Sequence, residues 1–433
     1  MVKLKRLRIG KYRNVKPGTE LHFRDSLNVL LGRNGTGKTT LLNLIVQLLR
    51  WDFSQFQGQE VDLEYTLLSP DAEFTIQLQS EAKLTAPSAT LPSAWTDFVK
   101  NMGLGLNPSP GHSLRMKLSV QSKEWGRYLL NAHGSKLVLE SPTGETKEVE
   151  MDYPLLGERA ASKLFNAMGR ALQPESGGHA AFVLLPALIG SQLRRLDESL
   201  EYLNELILKT TVLVTPVGGN YGASCEQGAP IDLLFRVTHL MREDPSRESV
   251  SVGPAGESAR FLSRAAALLG FESIHVKLQR SVLTAGPDGR AEFSNLRFDL
   301  SRRDGSVINH SLLSYGQKRL LAFYYYSASN RECVVADELV NGMHHEWIEA
   351  CLEDLGDRQA FLTSQNPLLL DYLSFDAAEE VQSSFVLCGT EMDGDREQLV
   401  WRNMTPQDAE GFFQSYAVNI QHVSELLRTR GLW

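Results

Sequence analysis

One run of eight residues constrains this chain more than any other: Gly32-Arg33-Asn34-Gly35-Thr36-Gly37-Lys38-Thr39. It fits the pattern G-x-x-x-x-G-K-[ST]. It also lies where that pattern has mechanical meaning, after the apolar run Leu27–Leu31 and before the apolar helical stretch Thr40–Leu49. Glycines let the backbone curl so that several N–H groups point at one phosphate. The helix that follows adds the positive end of its dipole. Asn34, Gly35, Thr36, Gly37, Lys38, Thr39 and Thr40 are therefore the candidate nucleotide contacts. Lys38 is expected to reach the β- and γ-phosphates, and the Thr39 hydroxyl to coordinate Mg²⁺. A fold built on such a loop needs a carboxylate at the end of another buried strand. Cys333-Val334-Val335-Ala336-Asp337-Glu338 supplies one. Asp337 is expected to hold Mg²⁺ through water, and Glu338 to polarise the attacking water.

Just upstream, Leu313-Ser314-Tyr315-Gly316-Gln317-Lys318-Arg319 opens a helical stretch. This segment resembles the signature of ABC-type ATPases. The order of the segments (phosphate loop, long middle, signature, acid strand, polar strand end) resembles theirs too. Asn341-Gly342-Met343-His344 resembles the D-loop of the SMC, RecF and OLD-like group, and Thr363-Ser364-Gln365-Asn366-Pro367 resembles its switch strand. The resemblance covers about residues 1–80 and 300–433. It implies an α/β fold: a P-loop ABC-type ATPase head with a mixed sheet core and a mainly helical insertion. It implies ATP and Mg²⁺ as cofactors, with metal contacts at Thr39 and Asp337. It also implies a homodimer or higher homo-oligomer, in which Ser314, Gly316 and Gln317 meet the nucleotide bound by the partner subunit. Gln365 stands where a histidine is expected. An amide still donates to a γ-phosphate but carries no proton. With Glu338 it is the candidate catalytic pair. Tyr12-Arg13-Asn14-Val15 resembles the segment whose arginine approaches the nucleotide, which makes Arg13 a candidate contact; a plain surface arginine is the alternative. Gln77 and Gln79 are both candidates for the Mg²⁺-sensing glutamine. His344-His345 reads as part of the D-loop rather than a metal pair.

Composition enters where partners are concerned. Lys and Arg total 44 against 52 Asp and Glu, a net charge of −8, which excludes a general basic nucleic-acid coat. The N-terminal stretch is different: Lys3, Lys5, Arg6, Arg8, Lys11, Arg13 and Lys16 all precede the first acid, Glu20. Such a run attracts nucleic acid, or it guards the edge of a strand against aggregation. The four cysteines form no C-x-x-C pair, so neither a zinc knuckle nor a disulfide framework is indicated, and a reducing cytoplasm is expected. The basic start has no apolar core of a secretory signal, and the longest apolar run, Ala180–Ile189, is too short to cross a bilayer. No membrane association is expected.

Three divisions follow. Residues 1–85 form the first half of the head, 86–300 an insertion, and 301–433 the second half with signature, acid strand, D-loop and switch. Val2–Ile9, Glu20–Phe23 and Leu27–Leu31 read as strands, and Val61–Leu67 with Glu73–Gln79 as a hairpin. The Pro-, Ser- and Gly-rich stretch 86–110 reads as a loop. Residues 156–215 read as mainly helical, with Leu193–Leu208 an amphipathic helix. Phe182–Ala187 loosely resembles a segment of OLD-like ATPases. No heptads persist, so this is not a full SMC protein.

Two functions of different class fit. In the first, an oligomeric ATPase acts as sensor or scaffold for a separate effector, a nuclease or toxin, as in PARIS-type and Septu-type anti-phage systems. The roughly 95 residues after Glu338 are needed to complete the head, so no nuclease domain is expected within this sequence. In the second, a RecF-like repair ATPase clamps duplex DNA. An ABC transporter subunit ranks last, because the signature, the switch residue and the length all depart from that pattern.

Overall fold

Period-two alternation writes the first strands, and continuous apolar runs write the buried ones. The computed structural model describes residues 2–56, 58–82, 112–124, 126–151, 164, 193–197, 199, 202–217, 220–225, 228–254, 260–281, 290–418 and 422–431. The chain divides into two compact units, one of Met1–Phe23, Gln47–Ser191 and Gly389–Arg402, the other of Arg24–Val46, Gln192–Cys388 and Asn403–Trp433. These do not follow the divisions 1–85, 86–300 and 301–433. The phosphate loop is grouped with the later acid strand, and much of the expected insertion with the N-terminal strands.

The first unit holds an antiparallel sheet. Strand β1 (Lys3–Tyr12) and β2 (Thr19–His22) form its start. The chain then passes through β3 (Leu27–Leu31) and helix α1 (Lys38–Arg50) and returns with β4 (Val61–Leu68) and β5 (Ala72–Ala82). Strands β6 (His112–Ser122), β7 (Gly126–His133), β8 (Lys136–Glu140) and β9 (Thr146–Glu150) complete the order β2-β1-β4-β5-β6-β7-β8-β9. Leu63, Tyr65 and Leu67 point inward on β4, opposite Leu78, Ile76 and Phe74 of β5. Leu114, Met116, Leu118 and Val120 continue the buried face.

The second unit is built on a parallel sheet in the order β10 (Arg195–Leu196), β17 (Cys333–Ala336), β18 (Gln359–Thr363), β3 and β19 (Phe385–Asp393). All four pairings are parallel. LNVLL, CVVA and QAFLT are apolar on both faces, as a doubly covered parallel sheet requires. Asn28, the polar exception, is buried but satisfied: its Oδ1 accepts from Arg24 N at 2.8 Å and its Nδ2 donates to Ala360 O at 3.2 Å. Parallel strands bring their carboxyl ends to one edge, which is where α/β sheets bind ligands.

The same unit carries an antiparallel sheet of β11 (Val212–Val217), β12 (Asn220–Cys225), β13 (Ser249–Val252), β14 (Ser273–Arg280), β15 (Ala291–Ser301) and β16 (Val307–Asn309), ordered β12-β11-β15-β14-β13 with β16 on β15. Helices α2 (Tyr202–Lys209), α3 (Ile231–Glu243), α4 (Arg260–Leu269) and α5 (Tyr315–Ser329) accompany it. Helix α5 is apolar nearly all round and buried accordingly. Its Tyr325 ring stands edge-on to Phe298 of β15 at 5.9 Å and to Phe261 of α4 at 6.1 Å. After it come α6 (His345–Leu355), α7 (Pro367–Asp371), α8 (Ala378–Ser384), β20 (Arg396–Asn403), α9 (Pro406–Ala417) and α10 (Val423–Thr429). Val29 and Leu31 of β3 pack with Phe375, Phe385 and Phe412 on the far side of the sheet.

The fold is α/β with mixed sheets, as expected. Within 86–300, however, the described residues are more strand than helix. Leu193–Leu208 is not one helix: Arg195–Leu196 pairs as a strand beside β17, and helix begins only at Tyr202. Its three- and four-residue leucine spacing hid a two-residue strand. The Ala86–Pro110 loop and the Phe182–Ala187 segment lie outside the described residues.

Candidate functional site

The phosphate loop leaves β3 at Gly32, whose φ of +151° and close neighbours admit no side chain: a Cβ there would stand 2.2 Å from Cys388 O. Gly35 and Gly37 take φ of +84° and +82°. Asn34, Gly35 and Thr39 are exposed, whereas Lys38 is buried at 8%. The Lys38 ammonium folds back over the loop and donates to Gly32 O at 2.8 Å and Arg33 O at 3.1 Å. Those carbonyls hold the charge at the mouth of the loop, where phosphate oxygens compete for it as stronger, charged acceptors. Thr40, the following residue of α1, is half-buried.

Two strand ends away lies Asp337, 2% exposed. The Thr39 hydroxyl donates to its Oδ2 at 2.7 Å, and the Thr363 hydroxyl at the end of β18 donates to its Oδ1 at 2.6 Å. The sheet order makes this possible, because Ala336 is in register with Leu362 and Thr363 with Leu30. The Thr39 and Asp337 oxygens suit Mg²⁺. Among the described residues no cluster of three His, Cys, Asp or Glu offers an all-protein site.

Glu338 follows with φ +48°, one of few non-glycine residues in the left-handed region. Such strain persists where the surroundings fix it, and here they do. Its N–H donates to Thr363 Oγ1 at 2.9 Å, and its Oε2 accepts from Gln365 N at 2.8 Å. The Gln365 side chain donates in turn to Asn34 Oδ1 at 2.9 Å. Gln365 therefore joins the strand-end acid to the phosphate loop.

Two arginines escaped the sequence reading. Arg195 donates from Nη1 to Asp337 Oδ2 at 2.8 Å and is also ion-paired with Asp197. Arg319, 3% exposed on α5, donates from Nη2 to the carbonyls of Asp337 and Glu338, both at 2.9 Å, and from Nη1 to Asp197 O. Burial pushes its pKa down from the ordinary arginine value. The only sequence signal for Arg319 was its place as a basic residue after the signature. Arg195 had none, since its partner lies 142 residues away.

Ser314, Gly316 and Gln317 form a cluster of their own. Ser314 is exposed and caps α5: its Oγ accepts from Gln317 N at 3.4 Å, while its own N–H donates to Gln317 Oε1 at 2.9 Å. A Cβ on Gly316 would stand 2.4 Å from Gly342 O, so the signature segment lies against the loop after Glu338. His344 stacks edge-on to Trp347 at 5.2 Å.

Arg13, Gln77 and Gln79 belong to the first unit. Arg13 is exposed, has φ +47°, and lies over the Tyr12 ring at 5.3 Å. Gln77 donates to Glu64 Oε2 at 2.7 Å and Gln79 to Asp62 Oδ1 at 3.1 Å. At least three of the seven basic residues of the N-terminal stretch are ion-paired there. Arg6 meets Glu64 at 2.7 Å and Glu20 at 3.1 Å, Lys16 meets Glu391 at 2.6 Å, and Lys11 meets Glu60 at 3.9 Å.

Residues 6–85 match the family model described as AAA domain. No curated protein matches the chain. Among solved structures it is similar to an SMC head bound to the C-winged helix domain of ScpA, at 12% identity and TM-score 0.39, covering 93% of this chain and 98% of that one. It is similar to the SMC head domain from Thermotoga maritima at 13% identity and TM-score 0.34, covering 92% and 98%. It is similar to the recombination mediator protein RecF of the RecFOR pathway at 12% identity and TM-score 0.32, covering 93% and 98%. At this distance these are likenesses only. The functional reading rests on the loop, the strand-end acids and the hydrogen bonds that join them.

Proposed function

We propose that this chain is an ABC-type ATPase that binds ATP with Mg²⁺ on residues 34–40 and hydrolyses it at Glu338. The observation that carries this reading is the 2.7 Å hydrogen bond from Thr39 to Asp337, with Glu338 next in the chain. It brings the end of a phosphate loop to a buried acid at the edge where parallel strands end. Lys38 neutralises the transferred phosphate, Thr39 and Asp337 hold the cation, and Glu338 takes the proton of the attacking water. When bound, Mg²⁺ supplies charge neutralisation at the β- and γ-phosphates. Gln365 orients that water or the γ-phosphate through its amide and takes no proton. The exposed Ser314 cap supports a second cradle that meets the nucleotide of a partner subunit, so the working form is a homodimer or higher homo-oligomer.

In the fuller reading, ATP occupancy holds the oligomer closed, and the oligomer controls a separate effector in anti-phage defence. The Gln365 substitution supports slow turnover, which suits a nucleotide-held scaffold. The ion pairs of Arg6, Lys11 and Lys16 weigh against the alternative, a RecF-like clamp on duplex DNA. Arg13 remains a proposed nucleotide contact. The test is steady-state ATP hydrolysis by the purified protein, with and without duplex DNA at low salt. Slow hydrolysis indifferent to DNA supports the scaffold. Strong, salt-sensitive stimulation by DNA overturns it in favour of the clamp.

A further inference from the structure

The Asp337 carboxylate is engaged more fully than a cation site requires. Oδ1 accepts from Thr363 Oγ1, while Oδ2 accepts from both Thr39 Oγ1 at 2.7 Å and Arg195 Nη1 at 2.8 Å. Its side chain is 3% exposed. A carboxylate offers about four lone-pair positions, and three are taken. The oxygen beside Thr39, which the cation needs, is shared with a guanidinium. A full positive charge and a divalent ion drawn to one buried oxygen, whether directly or through a water, repel strongly, because little solvent screens them. Left without any cation, on the other hand, a carboxylate this buried carries a charge that solvent does not balance. Arg195 answers the second problem and creates the first.

Strand β10 offers a way out. Arg195 and Asp197 stand two residues apart in an extended segment and share a face. The Arg195 guanidinium already spans both acids, Nη1 on Asp337 and Nη2 on Asp197. Asp197 is a fixed seat: its Oδ1 accepts from Ser199 N at 3.0 Å, and its backbone carbonyl is held by Arg319. Leu196 O accepts from Asp337 N at 2.9 Å, which pins the two strand ends together.

We infer that Arg195 is a built-in counter-cation of the triphosphate site, neutralising Asp337 until Mg²⁺ enters with the nucleotide and then passing wholly to Asp197. It is a positioning residue, acting through Asp337, and the inference rests on the reading of Asp337 as the cation-holding acid. Metal entry must displace it, so Arg195 lowers the gain in nucleotide affinity that Mg²⁺ provides.

The test measures binding of a fluorescent non-hydrolysable ATP analogue in excess Mg²⁺ and in EDTA. The readout is the ratio of the two Kd values, EDTA over Mg²⁺. Arg195→Gln is expected to raise that ratio about tenfold, a size typical of coupling between sites. Asp197→Asn removes the alternative seat and is expected to lower it. Arg195→Lys keeps the charge and stays within about threefold of wild type. A merely structural role shifts both Kd values together and leaves the ratio unchanged. An unchanged ratio in Arg195→Gln, or a shift of the same sign in Arg195→Gln and Asp197→Asn, overturns the inference while leaving the ATP site intact. A wild-type protein whose binding is indifferent to Mg²⁺ overturns the reading of Asp337 and this inference with it.

Discussion

At the scale of single residues, the site is a chain of short hydrogen bonds through Asp337, Glu338 and Thr363. Glu338 holds a left-handed backbone that its two partners fix, at an N–H to Thr363 and a carboxylate on Gln365 N. Glu338→Gln keeps an acceptor for that N–H but removes the proposed base. Hydrolysis should fall by about 10²–10⁴-fold with ATP affinity retained, as read by phosphate release beside equilibrium binding. Equal turnover in this variant rejects the assignment. A second residue reports on pH. His310 is buried, its Nδ1 accepts from Phe298 N at 3.1 Å, and burial pushes its pKa below the ordinary histidine value. The unfolded chain then binds the proton more readily than the fold does. This contribution to stability is full above the unfolded pKa of about 6.5 and is lost as pH falls below it. His310→Asn, which keeps an acceptor, should flatten the drop in melting temperature between about pH 7.5 and 5.5; an unaltered slope contradicts this. The loop and the two acids were legible because each is a local pattern, whereas Arg195 was not, because its role exists only once β10 lies beside β17.

At the scale of elements, two contacts tie the signature segment to the acid strand. Gly316 lies against Gly342, which itself has φ +73°. A Cβ on Gly316 meets a backbone carbonyl that cannot swing away, so Gly316→Ala should cost about 1–3 kcal/mol, read as a lowered melting temperature. Unchanged melting would show that this contact has room to relax. Arg319 satisfies the carbonyls of Asp337 and Glu338 from α5. Arg319→Met removes a buried donor set and leaves the Glu338 carbonyl only its 3.3 Å bond from Asn341 N. Losses of about 3–5 kcal/mol are typical when one partner of a buried charged network is deleted. Denaturant unfolding measures it, and a loss under about 1 kcal/mol contradicts the account. The buried strands were readable, with Leu27–Leu31 matching to the residue, since an apolar run between turn signals has few alternatives. Strands β6–β9 were not, because the neighbouring Pro- and Ser-rich stretch masked the alternation of Leu114, Met116, Leu118 and Val120. A two-residue strand such as Arg195–Leu196 carries no periodicity at all.

At the scale of the whole molecule, the parallel sheet of the second unit collects residues from 32 to 365 at one edge, and the fold exists to bring them there. Sequence order alone implied this grouping, since loop, acid strand and switch strand must be neighbours for the chemistry to work. It did not imply that the N-terminal strands and strands β6–β9 form a unit of their own. Among the described residues no helix is long and apolar enough to cross a membrane. The exposed Ser314 cap gives the assembly its test. Ser314→Arg loses the cap of α5, at a cost of about 0.5–2 kcal/mol and a fall of a few degrees in melting temperature, yet should leave the fold intact and suppress ATP-dependent self-association in light scattering. Association equal to wild type argues against a signature that works on a partner's nucleotide. The central claim is simpler, and one measurement addresses it most directly: calorimetric titration of ATP with Mg²⁺ into the wild-type protein and into Lys38→Ala. The account predicts saturable binding by the wild type and a loss of at least about 100-fold in the variant, as expected when a charge-assisted phosphate contact is removed from a buried site. Equal affinity in the two proteins would contradict the loop as a nucleotide site, and the functional reading built on it would fall.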